Sequence, residues 1–224
     1  MSKGKEKAAT IDDSALEQSL TQLEQVEKEI EAVDRELVQQ QVKLTAPIFQ
    51  KRRGIVAKIP KFWVQVLRKH PITSSLANDE DQKALEFLTD IEVVRDAENP
   101  DNYKLVFTFD ENPYFTNKTL TKEIQTEGEG EEAERKATAC KVEWKKGKEL
   151  VKAEGEHPGD EDEASFFDWF VGNEDVEIAD MFRDDVYANA VRYFLDTPED
   201  DEEEGDEEDE DEEEERPKKK NKKE

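Results

Sequence analysis

The sequence predicts an α+β fold, and three observations carry that expectation. A heptad-spaced apolar stripe opens the chain, the apolar period shortens to about two in the middle, and helical spacing returns before a long run of carboxylates. Of the 224 residues, 34% are hydrophobic and 42% are charged, which suits one modest folded domain with solvated appendages.

Residues 1–13 read as disordered. Leu16, Leu23, Ile30, Leu37 and Leu44 then recur every seven residues, with Val26 and Val33 between them. This spacing draws one apolar seam along a helix over residues 14–46 that is otherwise Glu, Gln, Lys and Asp. So narrow a stripe is typical of coiled coils and predicts a homodimer packed seam to seam; packing against the rest of its own chain is the alternative. Ser19 and Gln40 fall on the seam's lattice, where polar side chains set register. Pro47 is expected to kink or restart the helix. Beyond it a helical pattern runs to Pro71 with a break at Pro60, and Ile55, Ile59, Phe62, Trp63, Val66 and Leu67 form its expected buried face. A short helix capped by Asn78 or Asp79 follows.

The segments LTDIEVVRD, YKLVFTF, KTLTKEIQT and ACKVEW read as about four short strands. Turn residues at Asn99-Pro100-Asp101-Asn102 and in DENPYF make an antiparallel meander the natural topology. Residues 126–137 and 153–164 read as mobile loops. SFFDWF and VEIADMFRDDVYANAVRYFL return to helix, with Ile178, Phe182, Val186, Ala190 and Phe194 every four residues.

The net charge is −27; residues 199–215 carry −16, the last nine residues carry +5, and the other 198 carry −16. The acidity therefore belongs to the body as well as to the end of the chain. A field of this sign repels nucleic acid and anionic membranes and attracts basic proteins, so naked DNA and membrane are not expected partners. A single cysteine, no apolar leader and no apolar stretch of spanning length read as a soluble protein of a reducing compartment.

No catalytic constellation, cofactor or metal site is expected. His70 and His157 each precede proline and read as turn residues, while Cys140 reads as a strand residue packed inside. GEGEEA, Gly128 to Ala133, fits a GxGxxA pattern, but its glutamates would repel a pyrophosphate. The acidic run lacks the ligand order of a calcium loop. Trp63, Trp144 and Trp169 sit in apolar runs and read as core.

KIPKFW (Lys58 to Trp63), DENPYF (Asp110 to Phe115) and VEWKKGKEL (Val142 to Leu150) follow the long helix in order, and SFFDWF and DDVYANAVRYFL close the foldable chain. In these segments the sequence resembles the nucleosome assembly protein family over roughly residues 14–197, closest to its SET branch. Two departures stand out. Tyr187, Ala188 and Ala190 occupy positions where SET-like chains tend to have Trp and prolines, and the loop from Leu150 to Ser165 is short and acidic where relatives carry a longer basic stretch.

The resemblance implies a headphone-shaped homodimer. Its long dimerisation helix leads to an α+β earmuff domain over residues 47–197, an acidic tail over 198–215 and a basic segment over 216–224. It also implies a histone chaperone without enzymatic activity, one that binds core histones and promotes nucleosome assembly and disassembly. An acidic adaptor or inhibitor that occupies a basic groove is the alternative. The candidate histone-binding residues are Asp168, Glu174, Asp175, Glu177, Asp180, Asp184 and Asp185. The tail's carboxylates, expected to add sequence-tolerant capture, are Glu199, Asp200, Asp201, Glu202, Glu203, Glu204, Asp206, Glu207, Glu208, Asp209, Glu210, Asp211, Glu212, Glu213, Glu214 and Glu215. Lys218, Lys219, Lys220, Lys222 and Lys223 have the density of a nuclear import signal, which implies an import receptor and a nuclear location with shuttling to the cytoplasm.

Overall fold

The computed structural model describes residues 13–128, 134–151, 165–173 and 175–196. The expected disordered start up to residue 12, the loop 153–164 with His157, most of GEGEEA, Glu174, the acidic tail and the basic segment lie outside the described residues, while Asp13, expected to be disordered, begins a helix.

Helix α1 runs unbroken for 44 residues, Asp13–Val56, with Pro47 inside it. The expected break is absent. An interior proline forfeits one helical hydrogen bond and costs ~3 kcal/mol, and contacts on both sides of Pro47 offset that loss. Val42 is buried. Beyond the proline, the Phe49 ring lies 5.1 Å from that of Tyr187, and the Arg52 guanidinium sits 4.4 Å over Tyr187. Arg53 pairs with Asp90 and Glu92, each at 2.6 Å.

At roughly 100° per residue, Val42, Phe49, Arg53 and Val56 share the face turned to the domain. Leu37, Leu44, Ile48 and Ile55 share the opposite face. Ile55, expected to be buried, is therefore exposed, and no described residue covers the seam, with Leu37 59% and Leu44 71% exposed.

Lys61, in the left-handed region at φ 61°, turns the chain from α1 into α2, Phe62–Lys69. That helix buries Phe62, Trp63, Val64, Val66 and Leu67. The short α3, Pro71–Leu76, has no apolar periodicity and no counterpart among the expected elements. His70 precedes it as a buried N-cap whose Nδ1 accepts from the Thr73 amide at 3.2 Å, not as an ordinary turn residue. In α4, Asp79–Leu85, Asn78 is the cap and closes a capping box with Asp81.

Strands β1 (Leu88–Arg95), β2 (Tyr103–Phe109), β3 (Thr119–Glu127) and β4 (Glu134–Ala137) form one antiparallel sheet in that order. The expected fourth strand is corrected. ACKVEW contributes only an isolated bridge between Phe115 and Trp144, and ERKA, expected within a loop, pairs with β3 instead. Cys140 consequently lies in a half-buried loop, its N–H donating to the Phe170 carbonyl at 2.7 Å. Trp63 and Trp169 are core residues, while Trp144 is partly buried against the core.

Helices α5 (Phe166–Val171), α6 (Val176–Met181) and α7 (Ala190–Leu195) complete the domain, and α5 and α6 contact β3. Phe107 at the sheet's centre meets the rings of Phe166, Trp169, Phe170 and Phe182 at 5.0–6.4 Å. Lys122 points inward between Leu120 and Ile124 because its Nζ donates to the carbonyls of Trp169, at 2.7 Å, and Gly172. Burial pushes its pKa down to about 8. Between α6 and α7, Phe182–Val186 form a π-helical turn. An apolar repeat of four drifts by roughly 40° per step on an α-helix, and this wider turn absorbs the drift, so Phe182, Val186 and Ala190 all stay fully buried.

Candidate functional site

The described candidate carboxylates lie on α5, on α6 and its cap, and on the π turn, and the structure divides them by what they touch. Asp168 accepts from the Ser165 amide at 2.7 Å and closes the capping box of α5. Asp180 receives both Arg135 guanidinium nitrogens at 2.6 and 2.7 Å, the Tyr103 hydroxyl at 2.7 Å and Arg183 at 3.1 Å. Burial alone would raise the Asp180 pKa, but hydrogen bonds from Arg135 and Tyr103 and the two guanidinium charges hold it below the ordinary value.

Asp185 accepts from Asn189 at 2.9 Å and from the Tyr193 hydroxyl at 2.9 Å, and lies 3.2 Å from His70 Nε2. Because His70 Nδ1 is already an acceptor, the proton belongs on Nε2 and points to Asp185. Burial opposes ionisation of Asp185, and these donors hold its pKa below the ordinary value. Asp168, Asp180 and Asp185 all hold the fold together.

Asp184 pairs with its neighbour Arg183 at 2.5 Å but keeps 57% of its side chain exposed. Asp175 and Glu177 are exposed, Asp175 in the left-handed region at φ 60° with its carbonyl accepting from Trp169 Nε1 at 3.3 Å. Asp175, Glu177 and Asp184 are thus the predicted residues available to a partner, while Glu174 lies outside the described residues.

One carboxylate of consequence is absent from the sequence-based candidates. Asp81 is fully buried and joins two helix starts: its Oδ1 accepts from Ser165 Oγ at 2.6 Å, and its Oδ2 from the amides of Phe166 at 2.8 Å and Asn78 at 3.1 Å. The Asn78-x-x-Asp81 spacing signals half of this arrangement, the capping box; the reach to α5 has no local signal.

Among the described residues no cluster of His, Cys, Asp or Glu could hold a metal ion, and no helix is long and apolar enough to cross a membrane. His70 is committed to a cap and a carboxylate. What the surface offers is charge and shape.

Fold and site together define the class of α+β proteins in which an acidic domain of helices and an antiparallel sheet is carried at the end of one long helix. The profile of the nucleosome assembly protein (NAP) family matches residues 56–222. Protein SET of Drosophila melanogaster is 33% identical over 211 residues, covering 86% of this chain and 78% of the relative. Protein SETSIP of Homo sapiens is 32% identical over 196 residues, covering 80% of this chain and 66% of the relative. The crystal structure of Ccp1 superposes with a TM-score of 0.69 at 28% identity, over 80% of this chain and 95% of that one. The chain belongs to the nucleosome assembly protein family.

Proposed function

We propose that this chain is a histone chaperone that acts in nucleosome assembly and disassembly as a homodimer in the nucleus. The observation that carries the reading is the family match over residues 56–222 on a chain of net charge −27. Histones are strongly basic, and a chaperone must shield that charge without holding so tightly that DNA cannot reclaim it. Exposed carboxylates suit the task. Each solvated ion pair contributes ~0–1 kcal/mol and is screened by salt, so many weak contacts give capture that DNA can compete away. Asp175, Glu177 and Asp184 are the proposed fixed contacts, with Glu174 beside them in sequence, and residues 199–215 add capture and on-rate. Lys218, Lys219, Lys220, Lys222 and Lys223 are the proposed import address.

The homodimer reading is supported by the two faces of α1. The side that carries Phe49 and Arg53 is occupied by the chain's own domain, so the seam on the opposite side has no cover among the described residues. Charge favours an antiparallel pairing. Asp13 to Glu36 holds eight acidic and two basic side chains, whereas Lys43 to Lys58 holds five basic and none acidic. Crossing two copies in opposite directions sets one half against the other.

The test is a tetrasome assembly assay with purified histones and DNA, combined with calorimetric titration of histone pairs at several salt concentrations. Ordered deposition and salt-sensitive binding are expected. Removing residues 199–215 should weaken binding by about tenfold without abolishing it. Binding without deposition would assign the chain an adaptor's role instead. A tailless chain with no affinity would remove the folded surface from the proposal.

A further inference from the structure

β1 is an edge strand, and the pairing fixes which of its backbone groups are spare. Asp96 donates to Asn102 at 3.0 Å, so Val94 and Glu92 also turn their backbone toward β2. Ile91, Val93 and Arg95 turn theirs to the free edge. That edge floors a groove of about 320 Å³, walled by Val42 and Phe49 of α1 on one side and by Arg183, Tyr187 and Ala188 on the other.

The charges lining this groove are unevenly served. Glu92 is held by Arg53 at 2.6 Å and by Gln50 at 3.0 Å. Arg183 is held by Asp184 and Asp180, with its guanidinium 4.6 Å over the Tyr103 ring. Arg95 has only a long bond from Nη2 to the Pro100 carbonyl at 3.4 Å, and its buried Nε has no hydrogen-bond partner among the described residues. Burial and the neighbouring Arg183 charge lower its pKa from the ordinary value, outweighing the attraction of Asp184 and Asp101. Asp184 also lines the groove, but Arg183 engages both of its oxygens, at 2.7 and 2.5 Å, so the poorly served charge of this groove is a cation.

We propose that the groove is the docking site of the chain's own carboxylate run, residues 199–215, whose acidic side chains accept from the Arg95 guanidinium and from the edge amides of Val93 and Arg95. The chain leaves the described residues at Asp196, just past α7, and α7 begins two residues beyond the groove wall at Ala188. Six helical residues span ~9 Å and an extended chain covers ~3.3 Å per residue, so the return needs only about five residues. Tethering raises the local concentration of the sixteen carboxylates to the order of millimolar, an advantage that no free acidic peptide has. The docked run lies against the base of α1, and a basic ligand must displace it. The proposal needs only the chain's own charges and stands whatever the cargo.

The buried core lies between Val42 and Ala190, so a chain of residues 1–198 keeps every core side chain. A synthetic peptide of residues 199–215 titrated onto that shortened chain at low salt should bind saturably, one per chain. Arg95→Gln should weaken it about tenfold, the loss of one charge-assisted hydrogen bond. Lys118→Gln, at the far end of the sheet, should leave it unchanged. In the full chain the amides of Val93 and Arg95 should exchange with solvent more slowly than in residues 1–198, by a factor independent of protein concentration. Absent binding, binding indifferent to Arg95→Gln, or equal exchange rates in the two chains overturns the proposal. A protection factor that grows with concentration overturns it too, because it gives the groove to a second copy.

Discussion

From Val42 to Val56, α1 is held by its own domain through buried Val42 and Val56, the Phe49–Tyr187 contact and the Arg53 ion pairs. From Leu16 to Leu37, in contrast, every side chain is exposed. One continuous helix therefore has two sources of stability. The C-terminal end is fixed by tertiary contacts strong enough to carry a proline, while the N-terminal end owes its order to its own hydrogen bonds and to whatever covers the seam. In proteins most helical stability comes from packing of an amphipathic face, so the proposed second copy would supply the missing support.

The largest effect is expected where that contrast is broken. Replacing Leu23, Ile30 and Leu37 together with glutamate should give monomers in sedimentation, and the helical signal in circular dichroism should fall while the domain still melts cooperatively. An unchanged dimer mass would sink the seam assignment. Next comes Asp81→Ala, which strands the Ser165, Phe166 and Asn78 donors at two helix starts and should cost about 3 kcal/mol in denaturant unfolding. The dimer mass should stay the same, which separates the domain's stability from the seam's.

Arg53→Met should cost less, about 1 kcal/mol, because the pairs with Asp90 and Glu92 are partly solvated. Its expected mark is faster amide exchange from Phe49 to Val56 with none added before Leu37. The smallest effect belongs to acid titration. The folded-state pKa values of Asp180 and Asp185 lie below the ordinary aspartate value, so their stabilisation is present above that value and lost as pH falls through the folded one. Melting temperatures of wild type and Asp180→Asn should therefore differ near neutrality and converge below about pH 4.

The same contrast explains what could be read from the sequence. The seam, a cap at Asn78 or Asp79 and the first three strands follow from spacing and side-chain type, which are local properties. The α+β class followed from them, and the family segments pointed to the family that the comparisons show. Pro47 misled because local geometry argues for a break, while the contacts that outweigh it come from residues far along the chain, Asp90, Glu92 and Tyr187. β4 was invisible because its inward side chain before Ala137 is Arg135, placed there by a bond to Asp180 that no alternation pattern records. The candidate carboxylates were right in type but undivided in role. Whether a carboxylate faces a partner or an internal arginine is decided by tertiary pairing, and it is this pairing that separates Asp180 from Glu177.

The unbroken α1 has one more consequence. At 1.5 Å per residue its 44 residues span about 66 Å, and in the proposed dimer that length sets the gap between the two domains. The gap can change only in certain steps. Seven added residues would widen it by about 10 Å with a rotation of only ~20°. Two added residues between Leu37 and Val42 would swing the domain by roughly 200° and aim it at the other helix. A span built this way is a ruler graduated in heptads, and the size of cargo that fits between the domains is marked off in the same units.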